Sequence, residues 1–537
     1  MGFYVNPGTD KFEMSLLSNI YVDKSNLIAQ TNALFRTNQR YICISRPRRF
    51  GKTMAANMLA AYYGYNQNAG ALFNDLDIST HPTYEKYLNN HDVIMVNMQE
   101  FLSKSKLEAK KEKVQLTVDL MLHKLTTKIM KELKTEHADI VYDEDADFFD
   151  MMNETYFATK RPFVILIDEW DCLFREYKND TIAQDVYLDF LRLWLKDQAY
   201  VGLAYMTGIL PIKKYGTHSA LNMFREYTMT NPRMFLNYFG FSESEVSILC
   251  KKYDVNLEEI RAWYNGYFLD RKSPIYNPTS VVECLESAEI ANYWNKTETY
   301  EALRDHIILN YDGMKDKVTQ LIAGDDIVIN PNKFSNDMTT FHSVDDIFTL
   351  LVHLGYLTYN FERSTVRIPN EEVKCEFINS IEDSEDWKSV VTAIKSSKKL
   401  LEAIWNREED EVAKAVQKVH EENASIIKYN DENSLSSILS LALYAANNYY
   451  TIFRELPSGK GYADLAFIPR KKFIDKPAMI VELKWNKTAK SAIEQIKVKN
   501  YPSALAEYAG SIYLVAINYD KESKRHACLI EVFDDKS

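Results

Sequence analysis

The chain has 537 residues, of which 46% are hydrophobic and 26% are charged, and its formal net charge is −12. This length exceeds what one hydrophobic core fills, so we expect about three domains, and the acidic balance argues against a basic surface that coats nucleic acid. The six cysteines are scattered without a C-x-x-C pair, which argues against a zinc site or a disulfide framework. We find no signal peptide and no apolar run of about eighteen residues, so we expect a cytoplasmic protein without a membrane segment.

The first motif is R-P-R-R-F-G-K-T at residues 46–53, which follows a predicted strand at Tyr41–Ser45 and opens a glycine-free helix. A strand that ends, inward-pointing N–H groups and a helix N-terminus are typical of a phosphate-binding loop. Lys52 would then reach the β- and γ-phosphates of ATP, and the Thr53 hydroxyl would ligate Mg²⁺. Arg46 stands where the usual pattern has its first glycine, and a strand–turn–helix with a surface lysine remains the alternative. We predict that the nucleotide-binding residues of this loop are Arg48, Arg49, Phe50, Gly51, Lys52 and Thr53.

A second strand is predicted at Phe163–Asp168, an apolar run that ends in Asp168 and Glu169. Such a run is typical of a strand buried on both faces of a parallel sheet, and its carboxyl end is where open α/β sheets bind ligands. We predict that Asp168 holds Mg²⁺ and that Glu169 polarises the attacking water as general base. Solvated acids after a core strand are the alternative.

Two more apolar runs read as strands, Val93–Asn97 and residues 201–206. Four strands that alternate with helical stretches predict a doubly wound sheet. Thr207, at the end of the later run, is our candidate for a side chain that senses the γ-phosphate, although a threonine there can also be a turn residue.

The strings R-P-R-R-F-G-K-T, I-D-E-W-D and T-G-I-L-P-I together resemble the bacterial AAA-ATPase-like family that is commonly fused to a PD-(D/E)xK nuclease-like domain. Y-V-D-K at residues 21–24, W-Y-N-G-Y at 263–267 and Y-N-P at 276–278 are similar to that family as well. The resemblance covers nearly the whole chain and implies a P-loop ATPase. In the family the R-P-R-R opening is usual, so Arg46 is no local defect. Asp171 also matches the family pattern, and a helix N-cap is the alternative role for it.

The middle of the chain reads as helical from about residue 215 to 300, which suits a small lid over the nucleotide, with a helix N-cap at Ser242. A helix over Val344–Leu354 is followed by two strand-like runs around residues 362–364. Helix and hairpin predict a winged-helix-like module or an interdomain spacer. Residues 388–422 are charged and helical in pattern.

The last part of the chain carries the residue types of a metal-dependent phosphodiesterase. Asp464 opens one strand-like run, and Glu482 and Lys484 lie two apart on another, which puts both on one face. Carboxylates that gather divalent ions and a lysine that orients or activates water are what phosphodiester cleavage needs. Solvated charges on an exposed sheet face are the alternative.

A helix predicted over residues 489–501 completes the order of acid, hairpin, E-x-K and helix that the PD-(D/E)xK core has. Glu432 opens a helix predicted to run through residue 450, and it resembles the additional metal residue of that family. Glu455, beside a turn, is a further candidate contributor. We predict Asp464, Glu482 and Glu432 as metal ligands, and Asp464, Glu482 and Lys484 as catalytic residues.

We therefore predict an α/β protein with a P-loop AAA-like ATPase domain in residues 1–215, a helical lid or connector in 216–340, a winged-helix-like or spacer segment in 341–400, and a PD-(D/E)xK nuclease-like domain in 401–537. Its nucleotide state would gate a nuclease that uses Mg²⁺ or Mn²⁺ on nucleic acid, DNA rather than RNA, in defence or mobile-element biology. The alternative is a sensor ATPase whose last domain binds nucleic acid or partners without cleaving. A homo-oligomer is left open, with Arg225, Arg233 and Arg261 as candidates for an arginine that a neighbour supplies.

Overall fold

The computed structural model divides the chain into two compact units. The first unit comprises Met1–Lys252, Tyr267–Ser287 and Ile329–Ser364, and the second comprises Tyr253–Gly266, Ala288–Val328 and Thr365–Ser537. The residues described are 2–65, 68–112, 118–212, 221–269, 274–294, 300–307, 311–334, 341–423, 432–458, 461–499, 501–505 and 510–533.

A five-stranded parallel sheet lies at the centre of the first unit, in the order β2-β3-β4-β1-β5. Its strands are β1 (Tyr41–Ser45), β2 (Val93–Asn97), β3 (Phe163–Asp168), β4 (Val201–Gly208) and β5 (Arg225–Tyr227). Every residue of β1, β3 and β4 is buried, because these strands lie inside the sheet and are apolar except near their carboxyl ends. The four predicted strands are thereby confirmed.

The stretch that we expected to be helical from about residue 215 to 300 also contains strands, so that part of the expectation is wrong. The strands are β5, β6 (Tyr267–Phe268) and β7 (Pro274–Ile275). β5 has three residues and pairs with β1. A segment this short shows no periodicity of its own, and it becomes a strand because it lies beside β1.

The helices of the first unit precede, connect and follow the strands of its five-stranded sheet. They are α1 (Asp10–Leu16), α2 (Leu27–Leu34), α3 (Lys52–Tyr63), α4 (Gly70–Phe73), α5 (Tyr84–Tyr87), α6 (Met98–Glu112), α7 (Val118–Glu136), α8 (Phe148–Thr159), α9 (Cys172–Glu176), α10 (Thr181–Leu195) and α11 (Glu243–Tyr253), with α13 (Pro278–Ser287) and α16 (Val344–Leu354) further along the chain. The predicted cap of α11 is confirmed, since Ser242 Oγ accepts the Glu245 N–H at 3.4 Å and the Ser242 N–H donates to Glu245 Oε2 at 2.7 Å.

The second unit is built on a mixed sheet in the order β11-β12-β13-β14-β15. Its strands are β11 (Tyr450–Ser458), β12 (Gly461–Pro469), β13 (Ala478–Trp485), β14 (Ile512–Asp520) and β15 (Arg525–Phe533). Only β13 and β14 run parallel, while the other neighbours are antiparallel. The remaining helices of this unit are α12 (Leu257–Tyr264), α14 (Tyr300–Ile307), α15 (Met314–Ala323), α17 (Glu371–Ile381), α18 (Lys388–Trp405), α19 (Glu409–Asn423), α20 (Glu432–Ala442) and α21 (Ala489–Val498).

Helix α21 packs on β13 and β14, and Ile493 and Ile496 join Ile480 and Leu514 in one buried cluster. This packing fixes the helix beside the strand that carries the E-x-K pattern. No helix in the described ranges is long and apolar enough to span a bilayer.

The middle of the chain agrees with the expectation in part. Helix α16 has the predicted bounds, and the two strand-like runs form β9 (Thr358–Asn360) and β10 (Thr365–Arg367). β10 pairs antiparallel with β8 (Ile327–Val328) of the second unit. The charged stretch 388–422 is two helices, α18 and α19, and α20 ends at Ala442 rather than running through residue 450, because a 3₁₀ turn and β11 follow it.

Glycine is required where two backbones of the second unit meet. Gly266 has φ +98°, and a Cβ there would overlap the carbonyl oxygen of Pro369, whereas Gly313 has φ +75° and open space around it. We expect Gly313→Ala to lower the free energy of unfolding by about 1 kcal/mol, from backbone strain alone. Gly266→Ala should cost about 1–3 kcal/mol more, because a backbone carbonyl cannot move aside. Urea unfolding of the two variants measures the difference, and equal losses would contradict the steric argument.

Candidate active sites

The loop between β1 and α3 has an irregular backbone. Arg49 has φ +66° and Gly51 has φ +89°, both in the left-handed region. A Cβ at Gly51 would meet no atom within 4 Å, so the backbone angle rather than space favours glycine. Two left-handed residues within three positions turn the chain sharply into α3, as a phosphate-binding loop requires.

Lys52 lies under this loop. Its Nζ donates to the carbonyl oxygens of Arg46 at 3.0 Å and Pro47 at 2.9 Å, and the side chain is buried. Burial lowers the pKa of Lys52, and the nearby carboxylates of Glu169 and Asp168 oppose that effect. The loop thus encloses an ammonium group that faces two acids.

The Asp168 carboxylate is the centre of the site. It is 1% exposed and accepts hydrogen bonds from Thr53 Oγ1 at 2.7 Å and from Thr207 Oγ1. The Asn97 amide at the end of β2 donates to it at 3.4 Å. The structure thus brings Thr53, Asp168 and Thr207 together. Asn97 was missed, and its signal in the sequence was a polar residue at the end of an apolar strand.

Arg46 has a structural function in place of the first glycine. It is fully buried, and its Nη1 donates to the carbonyl oxygens of Ser45 and Tyr227, both at 2.8 Å. Burial lowers its pKa to about 9. The side chain therefore ties the start of the loop to the end of β5.

Glu169 follows β3 with φ +53°, an unusual backbone for a residue that is not glycine. Its Oε2 forms an ion pair with Arg175 Nη2 on α9. Burial raises the pKa of Glu169, and the Arg175 guanidinium opposes this effect. Arg175 was missed, because it belongs to none of the motifs in the sequence.

Asp171 stands at the N-cap position of α9, but its side chain does not cap that helix. Its Oδ2 accepts from the backbone N–H groups of Ile209 at 2.9 Å and Leu210 at 2.8 Å. This carboxylate is fully buried. It therefore holds the chain that leaves β4 against the start of α9, a role that the N-cap alternative did not include.

The other predicted loop residues differ in exposure. Phe50 is 1% exposed and packs edge-to-face on Tyr267, with ring centroids 5.1 Å apart. Arg48 is half-buried and Arg49 is exposed. Phe50 therefore anchors the loop in the core, while the two arginines lie nearer to solvent.

The three candidates for an arginine from a neighbour lie outside the Asp168 network. Arg225 opens β5 and is exposed, and Arg233 is exposed with its Nε donating to Asn231 Oδ1 at 3.1 Å. Arg261 lies on α12 and pairs with Glu258. Exposure suits a residue that reaches a second molecule, and Arg225 and Arg233 are exposed, whereas Arg261 is half-buried.

The residues of this first site fit a nucleotide with its magnesium ion. A threonine hydroxyl and a carboxylate in direct contact are the hard oxygen ligands that Mg²⁺ prefers, and Thr53 and Asp168 would hold it. Bound Mg²⁺ would supply positive charge beside the phosphates. Lys52 would bind phosphate oxygens, and Glu169 would orient water.

The second site lies where β12 and β13 separate. The pairing aligns Leu465 with Val481, and continuing this antiparallel register by one residue brings Asp464 level with Glu482. Opposite residues of an antiparallel pair share a face, and Lys484 shares it because it lies two residues further. Asp464 Oδ2 accepts the backbone N–H of Leu483 at 2.7 Å. The strand pairing thus brings together the three residues that the sequence predicted.

Glu482 is buried between donors. Its Oε1 accepts from Lys484 Nζ at 2.9 Å and from Gln495 Nε2 on α21. Burial and the negative charge of Asp464 raise the pKa of Glu482 to about 7, and Lys484 opposes that effect. The hydrogen bond from Gln495 fixes the orientation of this carboxylate. The sequence analysis had included Gln495 only in the helix predicted after Lys484.

The donor set of this second site fits a divalent cation. Glu482 Oε2 is buried and has no hydrogen-bond partner among the residues described. Such an oxygen costs roughly 1–3 kcal/mol unless a cation or water satisfies it. Asp464 and Glu482 would hold the ion, which would supply charge stabilisation for the phosphodiester, and Lys484 would orient water.

The described residues contribute two acids to this site, Asp464 and Glu482. The side chains of Glu432 and Glu455 lie outside the described residues, although α20 begins at Glu432 as expected. Within the described part of the chain, no group of three His, Cys, Asp or Glu side chains is arranged to hold a metal ion. Further ligands would come from water, the substrate or those two side chains.

Comparison with protein families identifies both regions. Residues 8–217 match the family model described as "Predicted AAA-ATPase", and residues 430–527 match a model of the PD-(D/E)XK nuclease superfamily. The chain carries an AAA-ATPase-like domain and a PD-(D/E)XK nuclease superfamily domain. The family resemblance and the α/β fold class expected from the sequence are thereby confirmed.

Individual relatives are distant. An uncharacterized protein in the vnfD 5' region of Azotobacter chroococcum mcd 1 is 24% identical over 369 residues, which cover 66% of this chain and 64% of that protein. The chain thus spans somewhat less than two thirds of that relative's length. Among solved structures, the Aeropyrum pernix ORC2 protein in its ADPNP–ADP complexes matches with 10% identity and a TM-score of 0.22, over 70% of this chain and 94% of that one.

The hydroxyl of Thr207 can be tested for its effect on Asp168. Thr207→Val keeps the shape of the buried side chain but removes the donor to Asp168, so we expect Mg²⁺-dependent ATP affinity to fall about 10-fold or more. Thr207→Ser keeps the hydroxyl and should stay within about twofold of the wild type. Titration of a fluorescent ATP analogue with Mg²⁺ and with EDTA measures this. Equal affinities of the valine variant and the wild type would show that Thr207 does not position Asp168.

Two variants separate the contribution of the Asp464 charge from that of its hydrogen bond. Asp464→Asn keeps an oxygen that accepts the Leu483 N–H, whereas Asp464→Ala removes it and should cost about 1 kcal/mol of stability. Both variants should lose Mn²⁺ binding in calorimetric titration, because both lose the carboxylate charge. Mn²⁺ binding that persists in the asparagine variant would exclude Asp464 as a metal ligand.

Proposed function

We propose that this protein binds and hydrolyses ATP and that its nucleotide state gates a Mg²⁺-dependent phosphodiesterase in the same chain. The observation that carries the proposal is that both sets of side chains are assembled: Thr53 and Thr207 on Asp168, and Lys484 and Gln495 on Glu482. The matches to an ATPase-like and a nuclease superfamily domain support it.

In the ATPase reaction, Lys52 and the backbone of the loop bind the phosphates. Thr53 and Asp168 hold the magnesium ion, and Glu169 orients and polarises the attacking water. Thr207 sets the orientation of the Asp168 carboxylate. We assign it this positioning role together with sensing of the γ-phosphate.

In the nuclease reaction, Asp464 and Glu482 hold a magnesium or manganese ion and Lys484 orients or activates water. The substrate is nucleic acid, DNA rather than RNA, and the setting is bacterial defence or mobile-element biology. Residues 1–215 and 401–537 are proposed as the ATPase and nuclease domains, with a lid or connector of helices and short strands in 216–340 and a winged-helix-like or spacer segment in 341–400.

A second function is a sensor ATPase whose last domain binds nucleic acid or partners without cleaving. The observation behind it is that Lys484 Nζ lies 2.9 Å from Glu482 Oε1 and supplies a positive charge to this carboxylate from within the protein. Both functions require ATP binding, so they differ only in the chemistry of the second site.

The deciding experiment measures plasmid, single-stranded DNA and RNA cleavage with Mg²⁺ or Mn²⁺, with and without ATP. We expect ATP-responsive cleavage of DNA, because the nucleotide state gates the nuclease. Glu482→Ala should abolish cleavage and leave ATP hydrolysis intact, Lys52→Ala should weaken ATP binding, and Glu169→Gln should bind ATP but turn it over at least about 100-fold more slowly.

Lys490→Ala, a change on the exposed side of α21, is the matched control and should behave as the wild type. ATP hydrolysis without any cleavage would select the sensor function. Cleavage that survives Glu482→Ala would show that the nuclease assignment is wrong.

A further inference from the structure

Arg175 lies inside the candidate ATPase site, and no family motif in the sequence pointed to it. The side chain is 10% exposed and contacts two acids, Glu169 through an ion pair with Oε2 and Asp171 through Oδ2 at 3.4 Å. It extends from α9, which follows the acids of β3 directly. A guanidinium this buried is positioned by its contacts with those two acids.

The contacts of the Glu169 carboxylate show which nearby cation it pairs with. Two cations face this carboxylate, Arg175 and Lys52, and two carboxylates, Asp168 and Asp171, lie nearby. Arg175 Nη2 forms an ion pair with Glu169 Oε2, whereas Lys52 Nζ donates to carbonyl oxygens of the phosphate loop. Glu169 is therefore directed to α9 more than to the phosphate loop.

We infer that Arg175 is a positioning residue that restrains Glu169, so that ATP turnover requires this ion pair to open. The inference rests on the proposed ATPase function and adds a mode of regulation to it. A general base must orient its carboxylate toward the attacking water, and the contact of Oε2 with Arg175 orients this carboxylate toward α9 instead. Loss of the arginine should free the base rather than disable it.

The same arginine connects the base to a second part of the site. Asp171, its other partner, accepts the N–H groups of Ile209 and Leu210, the residues that follow β4. Movement of this chain segment would therefore change the anchor of Arg175. The release of Glu169 is in this way linked to the end of the strand that carries Thr207.

Steady-state ATP hydrolysis by the full chain tests the restraint. We expect Arg175→Gln to raise kcat about three- to tenfold, with KM changed less than about twofold, because the base and not the nucleotide contacts is affected. Arg175→Lys keeps a charge but forms a less directional pair, so its kcat should lie between the two. Arg192→Gln is the matched control, since Arg192 pairs with Asp189 on the exposed side of α10.

A kcat for Arg175→Gln that equals or falls below the wild-type value would overturn the inference. Should that variant fail to fold, the lysine variant decides in the same way: a kcat above wild type supports the restraint, and one at or below it does not.

A second measurement needs no turnover. In a double-mutant cycle, the thermal midpoints of Glu169→Gln, Arg175→Gln and the double variant are compared in nucleotide-free protein. The two shifts should be non-additive, and the non-additivity should shrink with Mg²⁺ and a non-hydrolysable ATP analogue. Additive shifts without nucleotide would show that the pair does not form in solution.

The outcomes distinguish a failure of the proposed ATPase function from a failure of the Arg175 restraint. A wild-type protein that neither binds nor hydrolyses ATP would refute the proposed function, whatever the cycle shows. Hydrolysis that is lost in Glu169→Gln but unchanged in Arg175→Gln would keep the proposed function and refute the restraint alone.

Discussion

Burial of the Asp168 carboxylate dictates the arrangement of the nucleotide site, because an acid removed from water must be surrounded by donors. The donors come from the ends of neighbouring strands and from the first turn of α3. β3, which ends at Asp168, lies between β2 and β4. Thr207 on β4 therefore reaches Asp168 from one side, and Asn97 on β2 reaches it from the other. The parallel strand order thus produces the site, since only parallel strands end together at one edge of a sheet.

In the second site the buried carboxylate also needs donors, but the protein supplies them to one oxygen only. Glu482 is as buried as Asp168, but its protein donors, Lys484 and Gln495, both bind one oxygen. The other oxygen has no partner within the described chain, and burial raises the pKa of this group to about 7. A cation that binds Glu482 and Asp464 would therefore also stabilise the folded domain, as any ligand of the native state does.

Backbone strain lies close to the candidate catalytic groups of the first site. Arg49 and Glu169 both adopt left-handed backbone angles, which cost of order 1–3 kcal/mol each in residues other than glycine. Buried arginines lie close to both positions in the chain: Arg46 donates to two carbonyl oxygens, and Arg175 pairs with Glu169 itself and with Asp171. A fold retains such strain only where the surrounding contacts over-determine it.

The sequence by itself determined the central strands, the phosphate-loop string and the alternation that puts Glu482 and Lys484 on one face, because burial and period two are local properties. It did not determine β5, the ends of α20 and α21, or which side chains meet. Arg175 on Glu169 and Gln495 on Glu482 follow from the order and spacing of elements that are far apart or carry no motif. The tertiary structure decided these contacts, since a buried carboxylate takes whatever donor the packed elements bring within hydrogen-bond distance.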